Sequence, residues 1–281
     1  MTLAFFVSDL HGSAHRYDAL VRTIASERPE AVFMGGDILP APHQGALATF
    51  LREDFAPRLR RLRALLQSGY PRIFLIFGND DPREFESQLL EMESEGLLVY
   101  LHRRRSRLGS SPVLGYCCVP PTPFRLKDWE RYDVSRYVDP GCISPEEGWR
   151  SVDADESDVK YGTIARDLEE LTKGVDLSHA ICLFHSPPYQ TPLDRAALDG
   201  VAVDHVPLDT HIGSIAIRRF IESSQPLVTL HGHVHESARI TGQWKERIGS
   251  TTILGAAHDG PELALVRFDP ESPHEATREL L

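Results

Sequence analysis

Short apolar runs that end abruptly in polar motifs recur along this chain, and stretches with helical spacing separate them. The runs "LAFFV", "AVFMG" and "RIFLIF" are rich in aromatic and β-branched residues and have the length of buried strands. Strands that alternate with helices usually pair in parallel, because the helix carries the chain back to the starting end of the sheet. The pattern therefore predicts an α/β protein with a largely parallel sheet.

The chain has 281 residues and shows no internal repeat or clear linker, so we expect one domain over residues 1–281. Residues 45 to 69 have the apolar spacing of a helix, which Pro57 should bend or split. Residues 120 to 160 are rich in proline, aromatic and charged residues and lack periodicity. We interpret this segment as an irregular insertion rather than a separate domain.

The formal charge of −11 disfavours nucleic acid and phospholipid as partners, because the overall field repels phosphate. A phosphate ligand would need a local positive centre. No secretory signal pattern and no apolar run of membrane-spanning length is present, so we expect no membrane partner. Cys117, Cys118, Cys142 and Cys182 lack the spacing of paired metal ligands, which predicts small buried thiols in a reducing cytoplasm.

Polar motifs follow the ends of five predicted strands. They are Asp9-Leu10-His11, Gly36-Asp37, Gly78-Asn79-Asp80, His185, and His231-Gly232-His233-Val234-His235. In α/β sheets, ligands bind outside the carboxyl ends of strands, so neighbouring strands would bring these motifs to one crevice. Imidazole nitrogen with carboxylate and amide oxygen suits Mn, Fe, Zn or Ni. A carboxylate that bridges two such ions is typical of a hydrolytic site with two metals.

The order and spacing of these motifs resemble the calcineurin-like metallophosphoesterase family, whose pattern is D-x-H, G-D, G-N-H-[DE], a lone His and G-H-x-H. The resemblance runs from Asp9 to His235. It implies a four-layer αββα sandwich of two mixed β-sheets with flanking helices. It also implies metal-dependent hydrolysis of a small phosphorylated substrate. Other stretches, such as "HSPPYQTPLD", resemble a bacterial branch of this family.

The family pattern implies two divalent metal ions, with Mn the first choice in vitro. One ion would take Asp9, His11, Asp37 and His235, and the other would take Asp37, Asn79, His185 and His233. Asp37 would bridge the two. His231 would orient a ligand or pack at the end of its strand.

Asp80 stands where most of the family has a histidine that contacts the phosphate and can protonate the leaving oxygen. An aspartate beside two cations should be ionised and is then a poor proton donor. Three consequences stay open: substrates with good leaving groups, a proton from another residue, or slow turnover. Asp80 could instead point away with the acids at the helix start that follows. Asp81 is expected to cap that helix, with Pro82 at its first position.

His211 is the candidate for a replacement acid, and with Asp80 it completes the catalytic residues that we consider. It precedes a predicted helix whose amides at Gly213 and Ser214 could hold a phosphate oxygen. A histidine that is only hydrogen-bonded within the loop explains His211 as well.

Two other features have simple structural interpretations. The basic run "HRRRSR", residues 102–107, could grip an anionic substrate, although a solvated loop explains it more simply. In the insertion, Arg125, Lys127 and Trp129 could contact substrate. Nothing in their spacing requires that contact.

The sequence thus predicts a dinuclear phosphoester hydrolase, with a phosphodiester or pyrophosphate bond slightly preferred over a monoester because of Asp80. The alternative is a binding or scaffold protein that keeps the fold and the metals but has little catalysis. A nuclease fits less well because of the acidic charge. The substrate, the native metals and the oligomeric state stay open.

Overall fold

The computed structural model describes residues 2–41 and 46–281. Its strands, in chain order, are β1 (Ala4–Val7), β2 (Ala31–Gly35), β3 (Arg72–Ile76), β4 (Val99–Tyr100), β5 (Arg104–Leu108), β6 (Ser111–Tyr116), β7 (Ile181–Phe184), β8 (Ala202–Val203), β9 (Val206–Pro207), β10 (Val228–His231), β11 (Lys245–Ile248), β12 (Thr251–Gly255), β13 (Ala264–Phe268) and β14 (Thr277–Leu280). The α-helices are α1 (Ala14–Glu27), α2 (Ala56–Leu66), α3 (Glu86–Ser94), α4 (Glu156–Tyr161), α5 (Ile164–Thr172), α6 (Ile215–Ser224) and α7 (Ser237–Thr241).

The longer strands form two six-stranded mixed sheets. The first sheet has the order β14-β13-β1-β2-β3-β4, and the second has the order β11-β12-β10-β7-β6-β5. Strands β1 to β4 are parallel to one another, as are β6, β7, β10 and β12. The hairpin β8–β9 stands apart. The expectation of two mixed sheets is confirmed, with antiparallel pairs at one side of the first sheet and at both sides of the second.

The two sheets pack face to face, with β2 against β7 and β3 against β6. Helices cover the outer faces of the two sheets, because the apolar side of each helix has to be buried away from water. Helices α1 and α2 contact each other over the first sheet, and α5 contacts α6 over the second. In that second layer the ring of Phe220 lies 5.8 Å from that of Phe184. The arrangement is the predicted αββα sandwich.

Pro57 changes the predicted helix without breaking it. Residues Leu51–Phe55 form a wider π-helical turn, and α2 continues from it through Pro57 to Leu66. The wide turn avoids the clash of the proline ring with the preceding carbonyls. Residue 45, the predicted start of this helix, lies outside the described residues.

The basic run at residues 102–107 was predicted to be a solvated loop, and that prediction is wrong. Most of it belongs to β5, the edge strand of the second sheet. Its arginines masked the strand, because an edge strand exposed to water has no alternating apolar residues.

Between β6 and α4, residues 117–155 form only turns, bends and isolated bridges. Trp129 is 1% exposed and lies against Phe77, with its indole nitrogen donating to the Asp81 carbonyl at 2.6 Å. Lys127 is fully buried and pairs with buried Glu130. Neither side chain can reach a substrate in this arrangement, whereas Arg125 is exposed.

Among the described residues, no helix has the length and apolar character that crossing a bilayer requires. All four cysteines are free thiols, of which Cys117, Cys118 and Cys182 are buried and Cys142 is half-buried.

The Lys127–Glu130 pair yields a prediction about stability. Lys127→Met should lower the free energy of unfolding by about 3–5 kcal/mol, because it leaves the Glu130 carboxylate buried without its cation. The double variant Lys127→Met/Glu130→Leu should cost less than the single one, since no buried charge remains. Urea denaturation measures both.

Lys160→Met, on the exposed face of α4, is the control and should change stability by less than about 0.5 kcal/mol. A double variant that is as unstable as the single one would show that packing, and not the unpaired charge, sets the cost.

Candidate metal centre

The carboxyl ends of the two sheets meet in one place, and the predicted motifs lie there. Asp9, Asp37 and Asn79 follow β1, β2 and β3 of the first sheet, whereas His185 and His233 follow β7 and β10 of the second. Backbone hydrogen bonds join the loops within each sheet: Asp9 N donates to Gly36 O at 2.9 Å and Gly232 N to His185 O at 3.0 Å. Between the sheets, the ring Nδ1 of His185 lies 2.7 Å from Gly35 O.

Four of the predicted ligands form a compact cluster. Ligand atoms of Asp9, His11, Asp37 and His235 all lie within 4.8 Å of one another. The Nε2 atoms of His11 and His235 are 3.1 Å apart, and Nε2 of His235 lies 3.4 Å from Oδ1 of Asp9. This is the ligand set that the family pattern implies for one ion.

The other predicted ligands surround His185, which is completely buried. Its Nε2 lies 3.1 Å from Oδ1 of Asn79 and 3.3 Å from Oδ2 of Asp37. The ring of His233 packs edge-on against it, with centroids 5.1 Å apart. The amide oxygen of Asn79 therefore faces the same point as the imidazole nitrogen.

Asp37 lies between the two groups. Its Oδ2 is 3.9 Å from Nε2 of His11 on one side and 3.3 Å from Nε2 of His185 on the other. Its Oδ1 accepts a hydrogen bond of 2.9 Å from the backbone N–H of Asp80. One oxygen is thus anchored, and the other is turned toward both sets of imidazoles.

The backbone is strained at this centre. Asp9, His11, Asp37 and His233 have φ angles of 58°, 45°, 51° and 75°. Side chains other than glycine rarely adopt this left-handed region, and the conformation persists only where surrounding contacts enforce it. Strain concentrated on four neighbouring polar residues is typical of a functional site.

Asp81 does not cap a helix, so that prediction is wrong. Its buried carboxylate accepts backbone hydrogen bonds from Gly78 at 2.8 Å, Leu39 at 2.8 Å and Ile38 at 3.2 Å. It therefore ties the loop that carries Asn79 to the loop that carries Asp37. The following helical turn begins beyond Pro82 without a side-chain cap.

The buried carboxylates Asp37 and Asp9 favour the protonated rings of His185 and His235, and a bound metal would displace those protons. Burial opposes the charge of Asp9, but contact with His235 lowers the pKa of Asp9 to about 2. Burial likewise opposes the charge of His185, but the Asp37 carboxylate raises the pKa of this ring to about 10. Burial lowers the pKa of His233 to about 3, which keeps this imidazole neutral as metal binding requires.

The donor set fits divalent cations. Oδ2 of Asp9 is buried and has no hydrogen-bond partner among the described residues. A buried carboxylate oxygen without a partner is costly, and a bound cation would satisfy it. The contact of the His185 Nδ1 with a backbone carbonyl fixes the tautomer that leaves Nε2 free for a metal.

Asp80 is exposed at the rim of the centre, and its Oδ1 accepts a hydrogen bond of 2.9 Å from the amide Nδ2 of Asn79. This bond turns the Asn79 oxygen toward His185. The neighbouring Asp37 carboxylate and burial raise the pKa of Asp80 to about 7. Cations at Asp37 would offset this repulsion and lower that pKa.

His211 lies outside the cluster. Its Nδ1 is 2.7 Å from Oδ1 of fully buried Asp194, and its side chain is 30% exposed. Hydrogen bonds between Ser214 and the chain at Pro187 and Tyr189 join its loop to the one that follows His185.

The amides at the start of α6 are not free, contrary to expectation. Gly213 N donates to Asp194 at 3.1 Å, and Ile215 N and Ala216 N donate to Asp133 at 2.7 and 3.2 Å. The Ser214 amide donates to the Pro187 carbonyl at 2.9 Å, so neither amide that was expected to hold a phosphate oxygen is free.

His231 packs at the end of its strand. Its two ring nitrogens lie 2.8 Å from Ser186 O and 2.8 Å from Oγ1 of Thr229, and neither contact involves a predicted ligand. Burial lowers the pKa of His231 to about 3.

The chain matches the model of the calcineurin-like phosphoesterase family over residues 4–237. No curated protein matches it in sequence. Among solved structures, the protein TT1561 of Thermus thermophilus has a TM-score of 0.58 at 14% identity, over 99% of this chain and 98% of that one. A dimetal phosphatase from Danio rerio has a TM-score of 0.56 at 14% identity, and the match covers 99% of this chain and 95% of that one. The phosphopantetheinyl hydrolase PptH from Mycobacterium tuberculosis has a TM-score of 0.55 at 11% identity, and the match covers 92% of this chain and 90% of that one. At these identities the likeness shows a shared fold.

Gly78 provides a test of how tightly the centre is packed. A Cβ at this position would lie 2.2 Å from Oδ1 of Asp37 and 2.6 Å from the His185 ring, so Gly78→Ala must displace one of them. We expect a loss of about 1–3 kcal/mol in unfolding free energy. We also expect weaker Mn²⁺ binding, measured by titration calorimetry.

Gly69→Ala is the matched control, because nothing lies within 4 Å of its Cβ position. Wild-type Mn²⁺ affinity in Gly78→Ala would show that the position of Asp37 is not critical for binding.

Proposed function

Because the chain belongs to the calcineurin-like phosphoesterase family and is a metal-dependent phosphoesterase, we propose that it cleaves a phosphodiester or pyrophosphate bond in a small substrate. The observation that carries this proposal is the position of Asp37, with one carboxylate oxygen between the His11 and His185 nitrogens. A carboxylate so placed suits a bridge between two cations.

We assign the ligands as the sequence pattern implies. One ion would take Asp9, His11, Asp37 and His235, and the other would take Asp37, Asn79, His185 and His233. The compact cluster supports the first set, and the contacts of His185 support the second. Mn²⁺ is the ion to test first, since this mixture of nitrogen and oxygen donors suits it.

When bound, two divalent cations supply an activated water and stabilise charge that develops on the phosphoryl oxygens. The protein supplies the ionised carboxylates of Asp9 and Asp37, which hold the cations in a chain of net charge −11. The centre then offers local positive charge to a substrate that the overall field repels. Buried free thiols support a reducing compartment, so we place the reaction in the cytoplasm.

The preference for a phosphodiester over a monoester rests on the charge of Asp80, whereas a pyrophosphate bond is included because its phosphate leaving group needs no proton. Its exposed carboxylate adds negative charge at the rim and is committed to Asn79. A monoester carries up to two negative charges near pH 7 and is repelled more than a diester with one. Asp80 therefore acts by orienting Asn79 and by disfavouring a dianionic monoester relative to a monoanionic diester.

We propose His211 as the proton donor to the leaving oxygen. Buried Asp194 orients its Nδ1, as a carboxylate does for many catalytic histidines. Its Nε2 has no hydrogen-bond partner among the residues that the structure describes. The loop that carries His211 is hydrogen-bonded to the loop that follows His185, which supports access of His211 to a substrate at the metal centre.

The first test compares hydrolysis of bis-p-nitrophenyl phosphate and p-nitrophenyl phosphate with Mn²⁺ and with chelator. We expect Mn²⁺-dependent turnover with the diester faster, because it has the lower charge. Asp37→Ala should reduce both rates to the level with chelator and lower the bound Mn²⁺ per chain, measured by elemental analysis.

Asp199→Ala, at an exposed aspartate, is the control and should leave both rates unchanged. Two bound metals without turnover of either ester would favour a binding or scaffold function instead. A chain that binds no metal would overturn the proposal.

Substrates with good and poor leaving groups distinguish the proposed role of His211 from that of Asp80. His211→Gln should slow alkyl esters by about 100-fold and aryl esters much less, because only a poor leaving group needs the proton. Asp80→Ala should slow both classes alike and weaken Mn²⁺ binding, since Asn79 loses its anchor. Steady-state rates on matched alkyl and aryl diesters measure this.

His205→Gln, at an exposed histidine of the hairpin before His211, is the control. Equal slowing of both ester classes in His211→Gln would exclude a proton-donor role.

A further inference from the structure

A cleft lined by basic side chains lies far from the metal centre. Its basic side chains are Arg72, Arg105, Arg107 and His179, and we call it the arginine cleft. The cavity measures about 680 Å³. It forms where the β5–β6 hairpin approaches the start of β3 and the segment before β7. A small-molecule site commonly has a volume of about 300–1,000 Å³.

The hydrogen bonds of the three guanidinium groups go only to neutral oxygens, and Arg72 also lies over the Phe74 ring at 5.1 Å. Arg105 donates to the carbonyls of Leu171 at 2.6 Å and Glu170 at 3.1 Å, and Arg107 donates to the Ser110 carbonyl at 2.6 Å. Arg72 donates to the Arg107 carbonyl and, at 3.3 Å, to the Ser106 hydroxyl. Within residues 2–41 and 46–281, none of the three forms an ion pair.

The neighbouring arginines of the same run behave differently. Arg104 pairs with Glu93, and Arg103 lies 3.1 Å from Asp167 and 3.3 Å from Glu170. The chain contains 41 acidic residues against 30 basic ones, so carboxylate partners are abundant. Three arginines that face one cavity without such partners therefore stand out.

One acid, Asp176, also lines the cleft. Its Oδ1 already accepts hydrogen bonds from the backbone and hydroxyl of Ser178, at 3.0 and 2.8 Å. The three arginines and Asp176 leave a net positive charge at the cavity. Guanidinium groups hold phosphate-like anions through paired hydrogen bonds, and each carries five N–H donors.

The cleft and the metal centre lie at opposite ends of the same strands. Arg72 begins β3, and Asn79 follows its other end; His179 precedes β7, and His185 follows it. At about 3.3 Å per residue, these pairs are separated by about 20 Å. One small substrate cannot span both places.

From these contacts we propose that the arginine cleft is a second binding site, for a small molecule with several negative charges such as a phosphorylated metabolite. The proposal is independent of the reaction at the metal centre. It also gives the "HRRRSR" run a role that the catalytic proposal leaves aside.

Binding of inorganic tripolyphosphate by titration calorimetry tests the site, on protein treated with chelator and then dialysed. We expect one tripolyphosphate per chain, with affinity that falls as salt rises. Arg105→Gln/Arg107→Gln should weaken binding at least tenfold. Asp37→Ala should bind tripolyphosphate as the wild type does, because the metal centre is not involved.

The charge-matched control is Arg60→Gln/Arg104→Gln, which removes two exposed arginines that pair with Glu95 and Glu93. It should bind tripolyphosphate within twofold of the wild type. Arg72→Gln is a second cleft variant, and thermal unfolding confirms that each variant is folded.

Equal binding by the cleft variants and the charge-matched control would overturn the proposal, as would no binding by the wild type. Binding lost in Asp37→Ala but kept in Arg105→Gln/Arg107→Gln would place the anion at the metal centre and reject the cleft. Binding of a single-stranded oligonucleotide without binding of tripolyphosphate would also reject a small-molecule site.

Discussion

Two buried carboxylates at the meeting point of the sheets dictate much of the surrounding structure. Asp9 is fully buried and Asp37 is 2% exposed, and burying charge without compensation is expensive. Backbone N–H groups of His233 and Asp80 hold one oxygen of each carboxylate at 3.0 and 2.9 Å. The other oxygen of Asp37 turns toward the His11 and His185 rings. The left-handed backbone at these residues and the glycines beside them follow from this close convergence of loops.

The irregular segment after β6 supports the centre from two directions. Trp129 donates to the carbonyl of Asp81, beneath the loop that carries Asn79. Asp133 accepts from the hydroxyl of Ser214 at 2.5 Å and from the first amides of α6, which follow the loop of His211. The buried Lys127–Glu130 pair fixes the shape of the segment between these contacts. A segment without regular structure thus acts as a brace between the two sheets.

The strands and the motifs at their ends could be predicted because apolar runs and polar residues are local features. The contacts of Asp81 and Asp133 could not, because their partners lie 42 and 82 positions away along the chain. Asp81 resembles a helix cap in sequence, and only the fold decides which amides it meets. The strand β5 was missed for a different reason, since its arginines hide the alternation that identifies a strand.

The backbone amides at the start of α6 already have hydrogen-bond partners, which limits how a substrate phosphate can be recognised. A helix start often binds phosphate, but Asp133 and Asp194 already fill this one with negative charge. Recognition of phosphate at the centre must then rest on bound cations. Asp80 adds a further negative charge at the rim, where it holds Asn79. Under the proposed function, such a site discriminates by charge, because each added negative charge on the substrate meets carboxylates on several sides. The proposed function therefore favours a phosphodiester with one charge over a monoester with two.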